Sequence, residues 1–251
     1  MSYKAENLRE EKHCFFGAEG GVSTGKYASL NTNLSSQDAR LSIERNFEII
    51  AKYFNLPKKQ MFTLRQSVSA DVVWADAPSW FSIAADGMVT DDPDILLGIK
   101  TADCAPVLMA DYKHGIIGAA HAGWRGAYKG VVENVLSLMV AHGAQKQDIA
   151  VAIGPCMQQN SFEVREDMIN IFLEQSPENM RYFRKDEQKY YFDLSRYLIN
   201  KIHKFGVENI TDSGIDTYTA NDDYFSFRRY TNMHLIEIPR DYPTQFSCIR
   251  L

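Results

Sequence analysis

A chain of 251 residues with 45% hydrophobic and 24% charged side chains has a globular balance and is long enough to bury a core without covalent staples, so its four cysteines are not needed as disulfides. A net charge of -5, a pI of about 5.7 and no basic stripe argue against a nucleic-acid footprint and for a small-molecule or protein partner. No signal-peptide core and no apolar run near about twenty residues is present, which excludes a membrane partner and points to a reducing cytoplasm.

No Pro/Gly/Ser-rich stretch or charge run divides the chain, so residues 1–251 read as one domain, with the polar residues 1–12 a loose arm. Cys14-Phe15-Phe16 reads as a strand and Gly20-Gly21 as the turn after it. From Leu41 to Phe54 the apolar residues Ile43, Phe47, Ile50, Ala51 and Phe54 keep helical spacing, with Ser36 or Asp38 available as a cap. Short strands are expected at 61–64 and 72–74, a turn at Asp86-Gly87, and a strand near 96–99.

Two reactive side chains then flank a buried hairpin. The runs 105–110 and 116–120 are apolar, and Asp111-Tyr112-Lys113-His114-Gly115 between them is a polar turn. A reversal there brings Cys104 and His121 to the same open end, within reach across neighbouring strands. A helix over about 127–142 follows, with Arg125 and Gly126 at its N-terminus, where a cation beside free N–H groups suits an anion. Beyond it, 149–153 and 190–192 read as strands, and 162–164 leads into a helix ending near Leu173. Asp193 caps a helix that Gly206 stops. The tail reads as strands at 215–219, 224–227, 235–238 and 246–249, with Arg228-Arg229 directly after one of them. This order, strands outnumbering helices without regular βαβ alternation, gives an α+β layered sandwich with mixed sheets. His13, His114, His142, His203 and His234 show no metal-ligand spacing and receive no chemistry.

The runs Thr101-Ala102-Asp103-Cys104-Ala105-Pro106, His121-Ala122-Gly123-Trp124-Arg125-Gly126 and Ile153-Gly154-Pro155-Cys156 resemble the laccase-domain (YfiH-like) family of purine nucleoside enzymes. Gly20-Gly21-Val22-Ser23, Tyr27-Ala28-Ser29-Leu30-Asn31, Asp86-Gly87-Met88-Val89-Thr90 and Tyr224-Phe225-Ser226-Phe227-Arg228-Arg229 extend the likeness over nearly the whole chain, in order. The resemblance implies a four-layer α/β/β/α sandwich and phosphorolysis of adenosine, inosine and methylthioadenosine, with some adenosine deamination. It also implies a zinc site of two histidines and one cysteine, with copper the alternative under older polyphenol or multicopper oxidase labels. Cys104 and His121 match two of the ligands and suit zinc as thiolate and neutral imidazole. Val68 stands where the second histidine belongs, which weakens the site; Gly17-Ala18 replaces a Thr-Arg pair and Pro243-Thr244 a Gly-Arg pair.

The expected roles are therefore Cys104 and His121 as catalytic and metal-binding groups with Asp103 orienting the imidazole, and Arg125, Arg229, Asn31 and Gln66 as contacts to nucleoside and phosphate. A second reading makes Cys104 a nucleophile activated by His121 in an amidase of the peptidoglycan-editing type. A third makes the chain a non-catalytic nucleoside-binding or interaction module, motivated by Val68, Ala18 and Thr244.

Overall fold

Amphipathic helices and strands must bury their apolar faces against one another, and this chain does so in four layers. The structure, a computed structural model, describes residues 2–251. The first sheet orders β1 (His13–Phe15), β14 (Gln245–Ile249), β6 (Leu96–Thr101), β2 (Met61–Thr63) and β4 (Ser79–Trp80). The second orders β13 (Asn209–Asp212), β9 (Ala150–Ile153), β7 (Ala105–Asp111), β8 (Ile116–Ala122), β5 (Gly87–Thr90) and β3 (Val72–Trp74). A small third sheet holds β10 (Glu163–Val164), β12 (Lys189–Phe192) and β11 (Phe183–Asp186). Both large sheets mix parallel and antiparallel pairs.

The layering follows from which side chains meet. Between the large sheets, Phe15, Phe62, Leu97 and Ile99 pack on Met88, Leu108, Ile117 and Ala152. On the outer face of the first sheet, Ile43, Phe47 and Ile50 of α1 (Arg40–Tyr53) cover Met61, Leu96 and Phe246. The outer face of the second is covered by α2 (Trp124–Lys129), α3 (Val131–Ala141), α4 (Glu166–Gln175) and α5 (Leu194–Phe205), which bury Val135, Met139, Phe172 and Ile202 against Val107, Met109 and Val151. The expected α/β/β/α sandwich is the observed one.

Gly154, directly after β9, lets the Phe15 ring of the first sheet pack against the backbone of the second. A Cβ built there would lie 2.1 Å from the Phe15 ring, a contact no rotamer of a fully buried aromatic can relieve. Gly154→Ala is expected to cost about 3 kcal/mol and to lower the thermal midpoint by several degrees in a calorimetric scan. An unchanged midpoint would mean that the sheets yield.

Several expected elements differ. Residues 2–9 are not a loose arm: Ala5 and Leu8 are buried in the inter-sheet core, the Ala5 N–H donates to His13 Nε2 at 2.8 Å, and Tyr3 bridges Phe15. Neither expected cap serves α1; its N-cap is Ala39, and the Asp38 carboxylate instead accepts from Ser23 and Asn31. Asp86-Gly87 is not a turn but the entry to β5, whose four residues are buried and which pairs with β3 on one side and β8 on the other. The helix expected over 127–142 begins at Trp124 and breaks at Gly130, whose φ of 91° ends α2 and starts α3.

In the tail, only 245–249 is a strand of those expected. Side chains take the backbone donors that a ladder would have used. Asp216 accepts from the Tyr218 N–H at 3.0 Å, and Ser226 caps α6 (Phe227–Asn232) by accepting from the Arg229 N–H at 3.1 Å.

Candidate active site

The hairpin places the two reactive groups as its sequence requires. Ala105 pairs with Ala122 and Pro106 with His121, so Cys104 and His121 lie at the open end of β7 and β8. Gly123 starts α2 directly against the thiol: a Cβ there would stand 2.9 Å from Cys104 Sγ. The His121 imidazole is buried, interacts electrostatically with the Cys104 side chain and donates from Nδ1 to Asp86 Oδ1 at 2.7 Å. With Nδ1 engaged, Nε2 is the nitrogen left for Cys104 and for a reacting molecule.

Asp86 is itself held on every side. Its Oδ2 accepts from the Ser67 and Ser69 N–H groups at 3.0 and 2.7 Å and from the Ser69 hydroxyl at 2.9 Å, while its carbonyl accepts from the His121 N–H at 2.7 Å. Burial acts to raise the Asp86 pKa, but His121 and the two loop N–H groups outweigh it and hold the carboxyl well below the usual range. Burial likewise acts to lower the His121 pKa, and its interactions with Cys104 and Asp86 override it, lifting the imidazole up to about 9.

A raised histidine pKa has a defined sign. The stabilisation is fully present below the unfolded value of about 6.5 and is lost as pH rises through about 9. The difference in denaturant stability between the parent and His121→Gln is therefore expected to shrink from pH 6.5 to 9. A difference that stays flat over this range would remove the charged imidazole.

Cys104 lines an apolar pocket of about 190 Å³ with Trp124, Met157, Phe162, Leu194 and Phe227. Trp124, Phe162 and Arg228 are shared with an outer cleft of about 520 Å³ that also carries Arg125 and Arg165. The Arg125 guanidinium lies 4.1 Å from the Trp124 ring centroid, on the cleft wall. It sits within the first turn of a six-residue helix and not at the start of a longer one.

Four expected site residues are engaged elsewhere. Asp103 does not orient His121: its carboxylate accepts from Thr217 Oγ1 at 2.8 Å and from the Arg228 N–H at 2.7 Å, bracing the tail beneath the pocket. Arg229 donates to the carbonyls of Thr217, Tyr218 and Tyr224, which leaves little of its fork for phosphate. Asn31 is fully buried and spent on Ser36, Asp38, Asn33 and Thr244. Gln66 makes a paired contact with the Lys100 backbone. Asp86 takes the orienting role that proximity in sequence suggested for Asp103. Its signal is an acid ahead of a buried strand antiparallel to the histidine's own.

A metal of the implied kind needs three protein donors in one place. Cys104 and His121 supply two, and Val68 supplies a hydrocarbon that is 39% exposed, on a backbone of φ 60°. These residues do not form a three-ligand zinc site. Among the described residues, the side chains whose donor atoms cluster closely enough for a cation are Asp111, His114 and Asp148, at the hairpin turn and not at Cys104. His114, given no metal spacing from sequence, thus joins two carboxylates and donates from Nδ1 to Asp111 Oδ2 at 2.7 Å.

No helix among the described residues is long and apolar enough to cross a membrane. A purine nucleoside phosphorylase of Rickettsia prowazekii is 33% identical over 215 residues, covering 85% of this chain and 86% of its own. The purine nucleoside phosphorylase YfiH of Escherichia coli is 31% identical over 84% of this chain and 85% of its own. A Neisseria meningitidis protein of known crystal structure superposes with a TM-score of 0.87 at 28% identity, over 100% of this chain and 98% of that one. Residues 12–235, which carry Cys104, His121 and the loop around Asp86, match the family described as "Multi-copper polyphenol oxidoreductase laccase". The chain belongs to this family.

Proposed function

We propose that the chain is a purine nucleoside phosphorylase acting on adenosine, inosine and methylthioadenosine. The observation that carries this reading is the line Cys104–His121–Asp86, whose Cys104 end lines an apolar pocket that adjoins a cation-bordered cleft. The names of the relatives, spread over most of their length, support the substrate class.

The chemistry follows from the charges. The imidazolium, kept charged by Asp86 and Cys104, donates its Nε2 proton to N7 of the purine. A phosphate oxygen forms a bond to C1′ of the ribose as the C1′–N9 bond breaks and its electron pair moves into the base. The base finds Trp124, Phe162 and Phe227 to stack on, and Arg125 and Arg228 border the outer cleft.

One observation favours a second reading, a thiol hydrolase: Asp86 completes the nucleophile, base and orienting-acid order of such enzymes, and Val68 removes a metal ligand. The deciding experiment is a panel of three nucleosides and simple amides, each with and without phosphate. Base release that requires phosphate and is lost in Cys104→Ser and His121→Gln is expected. Amide cleavage independent of phosphate, with no base released, would transfer the assignment to the hydrolase.

A further inference from the structure

Residues 102–104 carry the chain from one large sheet to the other: β6 of the first sheet ends at Thr101, and β7 of the second begins at Ala105. The steps from Thr101 to Ala105 reach at most about 14 Å when fully extended, against the roughly 10 Å that separates packed sheets, so the crossing has little slack. Of the three linking residues, Asp103 alone takes a positive φ, 85°. Among the described residues, the other non-glycine positions of positive φ, such as Asn55, Glu187 and His234, are exposed or half-buried, whereas Asp103 is buried at 6% exposure. A side chain is costly in this region and stays there only where its surroundings over-determine it.

Three separate segments hold Asp103 in this conformation. Its carbonyl accepts from the Met157 N–H at 2.9 Å, its Oδ1 from Thr217 Oγ1 at 2.8 Å and its Oδ2 from the Arg228 N–H at 2.7 Å. Thr217 is itself fully buried, and its N–H donates to the Cys156 carbonyl at 3.2 Å, which ties these pins to the segment after β9 as well as to the tail. The peptide that Asp103 fixes sets the direction in which the Cys104 side chain leaves the backbone. Little room is left for any other direction, because Gly123 faces the sulfur so closely that a Cβ there would stand 2.9 Å from Sγ. Cys104 thus lines the apolar pocket at the end of the hairpin that carries His121.

We propose that Asp103 is a positioning residue for Cys104, its side chain pinning a left-handed turn that sets the thiol in the pocket at the His121 end of the hairpin. The carboxyl group acts through the backbone and not on the imidazole, whose orienting acid is Asp86. Two residue types share part of what this position needs. Asparagine keeps an acceptor for Thr217 or Arg228 and enters the left-handed region readily, while glycine takes a positive φ without strain but carries no pin. Alanine has neither property. That the effect appears in nucleoside turnover rests on the phosphorolysis reading; the placement of the thiol does not.

The test is steady-state kinetics of Asp103→Asn, Asp103→Gly, Asp103→Ala and Thr217→Val in the full chain, beside the rate at which iodoacetamide alkylates Cys104. The other three cysteines are buried, so early alkylation reads Cys104, with Cys104→Ser as the blank. In Asp103→Ala, kcat is expected to fall about tenfold or more while the nucleoside KM holds, with Asp103→Asn close to the parent and Asp103→Gly between the two. Thr217→Val removes one pin and leaves residue 103 intact, so it should move kcat the same way by less. The alkylation rate should shift about fivefold or more in Asp103→Ala and return in Asp103→Asn. A lowered thermal midpoint in Asp103→Ala with kcat and alkylation of the folded protein unchanged is the signature of a purely structural role and overturns the proposal. So does an Asp103→Asn variant as impaired as Asp103→Ala, which would make charge the active feature, or an Asp103→Gly variant no better than Asp103→Ala, which would remove the left-handed turn. Alkylation that follows this order in a protein that releases no base keeps the positioning role and removes the phosphorylase reading.

Discussion

Asp86→Ala is expected to abolish most turnover and to destabilise the fold, the two effects having one origin. The carboxylate, itself fully buried, is the shared partner of the buried His121 Nδ1, the Ser67 and Ser69 N–H groups and the Ser69 hydroxyl. Removing it strands several donors at once, each worth about 1–3 kcal/mol when left unsatisfied, so a loss of about 3–5 kcal/mol is expected in denaturant unfolding. Asp86→Asn separates the catalytic part. Its amide oxygen keeps one acceptor in place but loses the charge that holds His121 as an imidazolium with Nδ1 protonated. A kcat reduced by on the order of 10²-fold or more, with nucleoside binding little changed, is the expected outcome. Asp103→Asn should behave differently, because its partners are Thr217 and the Arg228 backbone. If Asp86→Asn turns over like the parent while Asp103→Asn does not, the orienting role goes back to Asp103.

The contrast between these two acids shows where the sequence is legible. Cys104 and His121 can be placed together without a structure because hairpin register is a local property, fixed by two apolar runs and a polar turn. Asp86 lies 35 residues from His121 and meets it only because β5 pairs with β8, a choice made by the packing of the whole sheet. Arg229, Asn31 and Gln66 mislead for another reason. Residue type announces a capacity for hydrogen bonding but not whether a nearby carbonyl or amide has already taken it, and in each of these cases one has. The tail strands fail similarly, since the apolar spacing is present while Asp216 and Ser226 divert the backbone donors into turns and a short helix.

Val68→His is expected to tighten zinc binding by on the order of a hundredfold, about 3 kcal/mol, provided that Cys104 is intact. The loop that carries residue 68 is already fixed, because Ser67 and Ser69 on either side of it both donate to the carboxylate that orients His121. An imidazole there joins Cys104 and His121 as a third ligand without a new loop having to be ordered, which is the usual entropic obstacle to building a ligand into a chain. The backbone favours the exchange as well. At a φ of 60° a β-branched valine is strained, whereas histidine enters the left-handed region more readily, so the substitution should not lower the thermal midpoint. The affinity gain is measured by competition with a chelator of known strength, beside Val68→His/Cys104→Ala, in which it should vanish. Zinc held no tighter than in the parent, with folding verified, would mean that residue 68 does not face the Cys104–His121 pair. If tighter zinc comes with faster nucleoside phosphorolysis, the natural Val68 has weakened an ancestral metal site. If turnover instead falls as zinc occupancy rises, the metal competes with the Cys104–His121 contact on which catalysis depends.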